Sequence, residues 1–186
     1  MWENLIQKDK ELLIYLNNLG SEQWDFLWLA ITNQFNWIPL FLLIIILTFK
    51  AFGWKKGLVV VLVMIALVAF SDQFTNFIKD FFLRLRPTVD TTVNTKLRIS
   101  VKPGTHSFYS GHAATSSAFS IFTILLLKHK YKYIWLLLMF PLIFGYSRLY
   151  LGVHFPIDVL TGYVAGTIVG TLFYFLFCRI NQKFLI

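Results

Sequence analysis

Cysteine and charge are both scarce in this chain. The single cysteine, Cys178, lies in an apolar segment, so no internal disulfide can form, and one thiol says little about compartment. Charged residues make up 14% of the 186 residues, where a soluble domain carries about a quarter. The N-terminus has no basic start followed by an unbroken apolar run, so no cleavable signal peptide is expected. There is no lipobox-like cysteine and no low-complexity tract. What fills the space is apolar: 57% of residues are hydrophobic and 18% aromatic. That excludes a soluble globular domain and points to an integral membrane protein. Seventeen basic residues against nine acidic ones leave a net charge of +8. In a soluble protein this would suggest nucleic acid. Here no nucleic-acid partner is expected, and the charge reads as loop anchors plus a site for an anionic substrate.

A spanning helix needs about 20 mostly apolar residues. Five segments qualify, near 36–52, 57–79, 111–128, 132–149 and 157–178, with Trp37, Trp54 and Trp135 at segment ends where aromatic belts form. Residues 2–19 differ. Trp2, Leu5, Ile6, Leu12, Leu13, Leu16 and Leu19 recur at three-to-four spacing, and Glu3, Asn4, Lys8, Lys10 and Glu11 fill the other side. This predicts an amphipathic helix lying on the membrane surface. Residues 22–35 are apolar but short, as in an interfacial or half-inserted helix, with Ser21 as its cap. The expected fold is all-α. It is a polytopic membrane helical bundle of about five transmembrane helices plus an N-terminal amphipathic interfacial helix. One domain spans 1–186, with interfacial helices over 1–35 and the bundle over 36–178.

Three basic sets alternate to one side: Lys50, Lys55 and Lys56; Lys128, Lys130 and Lys132; Arg179 and Lys183. The positive-inside rule makes that side the cytoplasm. The N-terminus and the 80–110 and 150–156 loops then face outward. The 80–110 loop is basic too, with Arg84, Arg86, Lys96, Arg98 and Lys102, which assigns those cations another task.

Three polar clusters fall at the outward ends of spans: "KDFFLRLRP" at 79–87, "FYSGHAATSSA" at 108–118 and "SRLYLGVHFPID" at 147–158. Ionisable residues at a membrane edge are functional candidates by default. Arg84, Lys96 and Arg98 read equally well as headgroup anchors. Removing phosphate from a lipid requires cations and N–H donors for the phosphoryl oxygens, a nucleophile and an acid. Lys79, Arg86 and Arg148 supply cations. Ser110 and Gly111 open a helix whose N–H groups favour an anion. His112 can protonate a leaving oxygen. His154 and Asp158 are four apart, so Asp158 can orient His154, the nucleophile. An H-x-x-x-D pair can also ligate a metal, but no third or fourth ligand stands at recognisable spacing.

The order K-x6-R-P at Lys79–Pro87, S-G-H at Ser110–His112 and S-R-x5-H-x3-D at Ser147–Asp158 resembles the three-part signature of the type 2 phosphatidic acid phosphatase superfamily, in its bacterial membrane branch. The resemblance implies a phosphatase without metal or other cofactor, working through a phosphohistidine. It makes His154 the nucleophile, Asp158 its support and His112 the leaving-group acid. Lys79, Arg86, Ser110, Gly111 and Arg148 would hold the phosphate. The family often has Pro before S-G-H, where this chain has Tyr109. By analogy the partner is a lipid phosphate in a bacterial inner membrane, met at the periplasmic face. Undecaprenyl diphosphate comes first, then phosphatidylglycerophosphate, phosphatidic acid and lipid A phosphate. The rivals are a lipid phosphotransferase with the same intermediate and a non-enzymatic lipid-binding or flipping protein.

Asp72, Asn76 and Lys79 form a polar stripe, read either as orienting Lys79 within the bundle or as an interhelical hydrogen bond. Gly162, Gly166 and Gly170 predict close helix packing inside the bundle, or a dimer seam. His106 and Lys102 are candidates for touching a second phosphate or a headgroup. His129 is expected to do nothing specific.

Overall fold

The computed structural model describes residues 2–99, 101 and 104–180. Lys102 and Lys183 lie outside the described residues. Six α-helices follow in order: α1 Trp2–Asn18, α2 Glu22–Thr32, α3 Ile38–Phe82, α4 Gly111–Leu127, α5 Met139–Tyr150 and α6 Pro156–Ile180. Among the described residues there is no strand, only an isolated antiparallel bridge between Leu85 and His106. The expected all-α fold is what forms.

All five apolar segments are helical. The first two make a single long element, α3, broken at Gly53, where φ is 72° and ψ 176°. Glycine adopts that left-handed backbone without a side-chain penalty. The chain reverses there: a Cβ on Gly57 would stand 3.3 Å from the Cα of Phe49. Eight residues along a straight helix those positions would be about 12 Å apart. Ile44 from one arm therefore shares a core with Val60, Met64 and Leu67 from the other. Gln34–Phe82, Lys132–Tyr150 and Pro156–Ile180 are long and apolar enough to cross a membrane, while Gly111–Leu127 is apolar but shorter. The fourth segment opens as a 3-10 helix, Lys132–Leu138, before becoming α5. The 3-10 rise of about 2.0 Å per residue gives 19 residues extra reach.

Helix α4 is the centre of the bundle. Its small residues Ala113, Ala114, Ser117 and Ala118 are buried, and α6 lies directly on them. A Cβ at Gly162, Gly166 or Gly170 would strike the carbonyl oxygens of Ser110, Ala114 and Ala118 respectively. The glycine repeat thus serves packing within the bundle. The opposite face of α6, with Leu160, Val164, Ile168, Leu172 and Phe175, is exposed, as suits contact with lipid.

The amphipathic helix α1 forms as expected, and it is also docked on the bundle. Asp9, Leu13 and Asn17 form a buried seam, and the apolar Trp2, Leu5, Ile6, Leu12 and Leu19 stay exposed. Asn17 is the bolt: its amide donates to the Ile99 and Tyr150 carbonyls at 2.9 and 2.7 Å and accepts from Arg98 N–H at 2.8 Å. The amphipathic helix still offers its apolar side outward while docking by a narrower polar seam. One expectation needs correction: the Asp72–Asn76 stripe is not turned inward. Both are exposed, with Asn76 donating to Asp72 at a marginal 3.5 Å. The inward face belongs to Ser71 and Thr75, one position, or about 100°, away.

The glycine seam leads to a stability prediction. Gly166→Leu forces a side chain into the Ala114 carbonyl and should cost at least about 1–3 kcal/mol, read as a lowered Tm in detergent. An unchanged Tm would show that α4 and α6 are not in backbone contact.

Candidate active site

Four pieces of chain converge at one end of the bundle. The first is the end of α3. Leu83 takes a left-handed conformation, φ 51°, and its N–H bonds back to the Lys79 carbonyl at 3.0 Å. This stops the helix just after Lys79 and sends Arg84–Arg86 across the bundle end. The second piece, 105–107, clamps that turn: Arg86 N–H reaches the Thr105 carbonyl at 2.9 Å, and Ser107 N–H the Arg84 carbonyl at 2.8 Å.

The third piece is the start of α4. Ser110 caps it, accepting weakly from Ala113 N–H at 3.5 Å, while its own N–H donates to the Asp158 carbonyl at 3.0 Å. That bond steadies the backbone where Tyr109 replaces the family's Pro. Gly111 packs closely on the Thr75 methyl, which would stand 3.1 Å from an added Cβ, and the Lys79 ammonium is nearby at 3.9 Å from the same point. His112 stacks on Phe144, with ring centroids 4.6 Å apart.

The fourth piece is the α5–α6 turn. Val153 N–H bonds to the Arg148 carbonyl at 3.0 Å, and Gly152 supplies a positive φ of 63°. This folds His154 back toward Arg148. Both are buried, as are Arg86 and Asp158. Asp158 Oδ2 stands 3.5 Å from His154 Nδ1 and accepts from Phe155 N–H at 3.0 Å. Arg86 Nη1 lies 3.2 Å from His154 Nε2 and 3.1 Å from the Val153 carbonyl. A guanidinium only donates, so Nε2 must be the lone-pair nitrogen and Nδ1 carries the proton on the Asp158 side. Burial first, then the charges of Arg86, Arg148 and Lys79, holds the His154 imidazole well below its usual range. The ring is therefore neutral at physiological pH.

Lys79, Arg86, Ser110, Gly111, His112, Arg148, His154 and Asp158 thus meet in one place. Among the described residues, none of Lys79, Arg86 and Arg148 forms an ion pair. Three partly or wholly buried cations without a carboxylate are costly unless an anion joins them. No three His, Cys, Asp or Glu side chains gather as metal ligands would among the described residues.

Other parts were not foreseen. Arg84 donates to Asp158 Oδ1 at 2.6 Å and Asp9 Oδ2 at 2.7 Å. Thr32, at the end of α2, meets the Arg148 guanidinium through its hydroxyl. Arg98 is engaged elsewhere: it forks onto Asp25 at 3.1 and 2.8 Å, stapling α2 to the loop. His106 sits half-buried on the bridge with Leu85. The 9–13–17 spacing of α1 was a legible signal for Asp9. Nothing local marked Arg84 off from its basic neighbours.

Comparison with known proteins places the chain in a family. Residues 56–181 match the model of the PAP2 superfamily. The chain is 34% identical to a lipid A 4'-phosphatase of Bacteroides thetaiotaomicron, across 98% of this chain and 83% of the relative. It is 29% identical to an undecaprenyl-diphosphatase of Sulfolobus acidocaldarius, across 87% and 67%. The PAP2-type phosphatidylglycerolphosphate phosphatase of Bacillus subtilis shares the fold with a TM-score of 0.71 at 22% identity, covering 97% of this chain and 87% of that one. LpxE of Aquifex aeolicus follows with a TM-score of 0.62 at 25% identity, covering 88% and 92%.

The protonation state of His154 is directly checkable. In protein carrying 15N-labelled histidine, its ring should remain neutral at pH 6, with the proton on Nδ1. A free imidazole titrates near 6.5, so a ring largely charged at pH 6 would contradict this electrostatic reading.

Proposed function

The chain belongs to the PAP2 superfamily and is an integral-membrane lipid phosphatase, and from that premise we propose that it removes phosphate from a glycolipid through a phosphohistidine on His154. The observation that carries the proposal is the set of three ion-pair-free cations, Lys79, Arg86 and Arg148, gathered around the lone-pair nitrogen of a buried neutral histidine. A phosphoryl group held there presents phosphorus to Nε2. Lys79, Arg86, Arg148 and the Ser110–Gly111 opening of α4 hold its oxygens and the charge that develops on them. His154 Nε2 forms the N–P bond as the ester P–O bond breaks. His112 gives its proton to the leaving oxygen. Asp158 stabilises the charge that His154 acquires. Water then attacks phosphorus with His112 as base, the N–P bond breaks, and inorganic phosphate leaves.

Lipid A phosphate now stands ahead of undecaprenyl diphosphate. Lipid A 4'-phosphatases of Bacteroides thetaiotaomicron and Porphyromonas gingivalis each match 98% of this chain, at 34% and 26% identity. Undecaprenyl diphosphate is the second reading, favoured by the Sulfolobus relative and by a Bacillus subtilis undecaprenyl-diphosphatase 37% identical across 48% of this chain and 43% of that relative. The basic residues Lys50, Lys55, Lys56, Lys128, Lys130 and Lys132 belong to the turns away from the site. By the positive-inside rule this supports an inner-membrane enzyme whose site faces the periplasm.

The deciding assay is phosphate release from lipid A, undecaprenyl diphosphate, phosphatidylglycerophosphate and phosphatidic acid in mixed micelles. Wild type should prefer lipid A, and His154→Ala should lose about a thousandfold or more, as expected for loss of a nucleophile. Equal release by the folded variant would remove His154 from the chemistry. EDTA should leave the rate unchanged and orthovanadate should inhibit. Loss of activity in EDTA that returns with added metal would overturn the metal-free mechanism.

A further inference from the structure

Arg84 lies inside the K-x6-R-P stretch but at one of its unspecified positions, and its guanidinium binds two carboxylates where Lys79, Arg86 and Arg148 form no salt bridge. One arm, Nη1, donates to Asp158 Oδ1 at 2.6 Å. The other, Nη2, donates to Asp9 Oδ2 at 2.7 Å. The plane of the group covers the Phe155 ring, 4.2 Å from its centroid. Both carboxylates are almost fully buried. Asp9 has its other oxygen on Ile157 N–H at 2.9 Å, in the first turn of α6. Asp158 has its other oxygen on Phe155 N–H and beside His154 Nδ1. One guanidinium thus bridges α1 to the acid that backs His154. Two buried carboxylates share a single cation, so neither can be satisfied without it.

We propose that Arg84 and Asp9 form a positioning pair for the Asp158–His154 couple, so that helix α1 is a working part of the active site. Arg84 aims Asp158 at His154 and keeps it ionised. Asp9 holds Arg84 in place and fixes the start of α6 that carries Asp158. Asp158 is faced by Arg84 and Ser107 at contact, with Asp9, His154, Lys79 and Arg86 as the remaining charged or titratable groups around it. Removing the guanidinium leaves Asp9 and Asp158 as like charges with nothing between them. Either carboxylate then takes up a proton more readily, and His154 loses its support.

This proposal rests on the phosphohistidine reading, and the two fail differently. Full-length Arg84→Gln, Arg84→Lys, Asp9→Asn and the double variant Asp9→Asn/Arg84→Gln would be compared with wild type. The readouts are phosphate release from lipid A and from undecaprenyl diphosphate between pH 5 and 8.5, and orthovanadate binding by calorimetry. Arg84→Gln should lower kcat at least about tenfold with KM within about twofold, move the acid limb of the pH profile upward, and weaken orthovanadate about tenfold. Arg84→Lys should regain part of each. Asp9→Asn should lower activity by itself yet raise it when added to Arg84→Gln, because it removes the unshielded like charge. A merely structural role predicts additive losses with an unmoved pH profile. That pattern, or a fully active Arg84→Gln, would overturn the proposal. A His154→Ala protein that still turns over would instead sink the phosphohistidine reading.

Discussion

The backbone contact between α4 and α6 is the constraint on which the site depends. Glycines at 162, 166 and 170 let α6 lie against the carbonyls of Ser110, Ala114 and Ala118. In lipid there is little hydrophobic force to bring helices together, so close packing of small residues has to do it. The contact continues into the site: Ser110, which lies against Gly162, the first of these glycines, bonds through its N–H to the Asp158 carbonyl. The helix that carries His112 is thereby set in register with the helix that carries Asp158. His154 lies on the short turn leading into α6.

The electrostatics divide into two parts with opposite logic. Asp158 is held by Arg84 on one oxygen and by the Phe155 N–H on the other, beside the His154 imidazole. Lys79, Arg86 and Arg148 form no salt bridge among the described residues. Burying unpaired cations is unfavourable, and an anion bound among them would offset it. Had Asp158 been free to pair with Arg86, the anion site would have been neutralised and the acid removed from its histidine. In the proposed arrangement Arg84 keeps Asp158 from that pairing by holding the carboxylate itself.

Much of this was readable in one dimension. Length and hydropathy mark five apolar segments, and the spacing of Lys79, Arg86, Ser110, His112, Arg148, His154 and Asp158 marks a candidate site whose residues lie at one end of the bundle. The misses have physical causes. Asp72 and Asn76 share Lys79's face on a helical wheel, yet the packed face runs through Ser71 and Thr75, and periodicity alone does not choose between adjacent faces. Arg84 sits in a run of basic residues whose local chemistry is uniform, and its role appears only when α1, distant in sequence, brings Asp9 beside it. Helix α1 has a wide apolar face and a narrow polar seam. The wide face dominates the pattern, while Asp9, Leu13 and Asn17 decide where it docks.

The central claim is that His154 carries the phosphoryl group. Rapid acid-free quenching of wild type with a lipid phosphate, followed by proteolysis and mass spectrometry, tests it most directly. The account predicts one added phosphoryl group on the peptide containing His154, labile in acid and stable in base. A phosphoryl group on another residue would contradict the account. So would steady turnover with no phosphorylated protein at the shortest times.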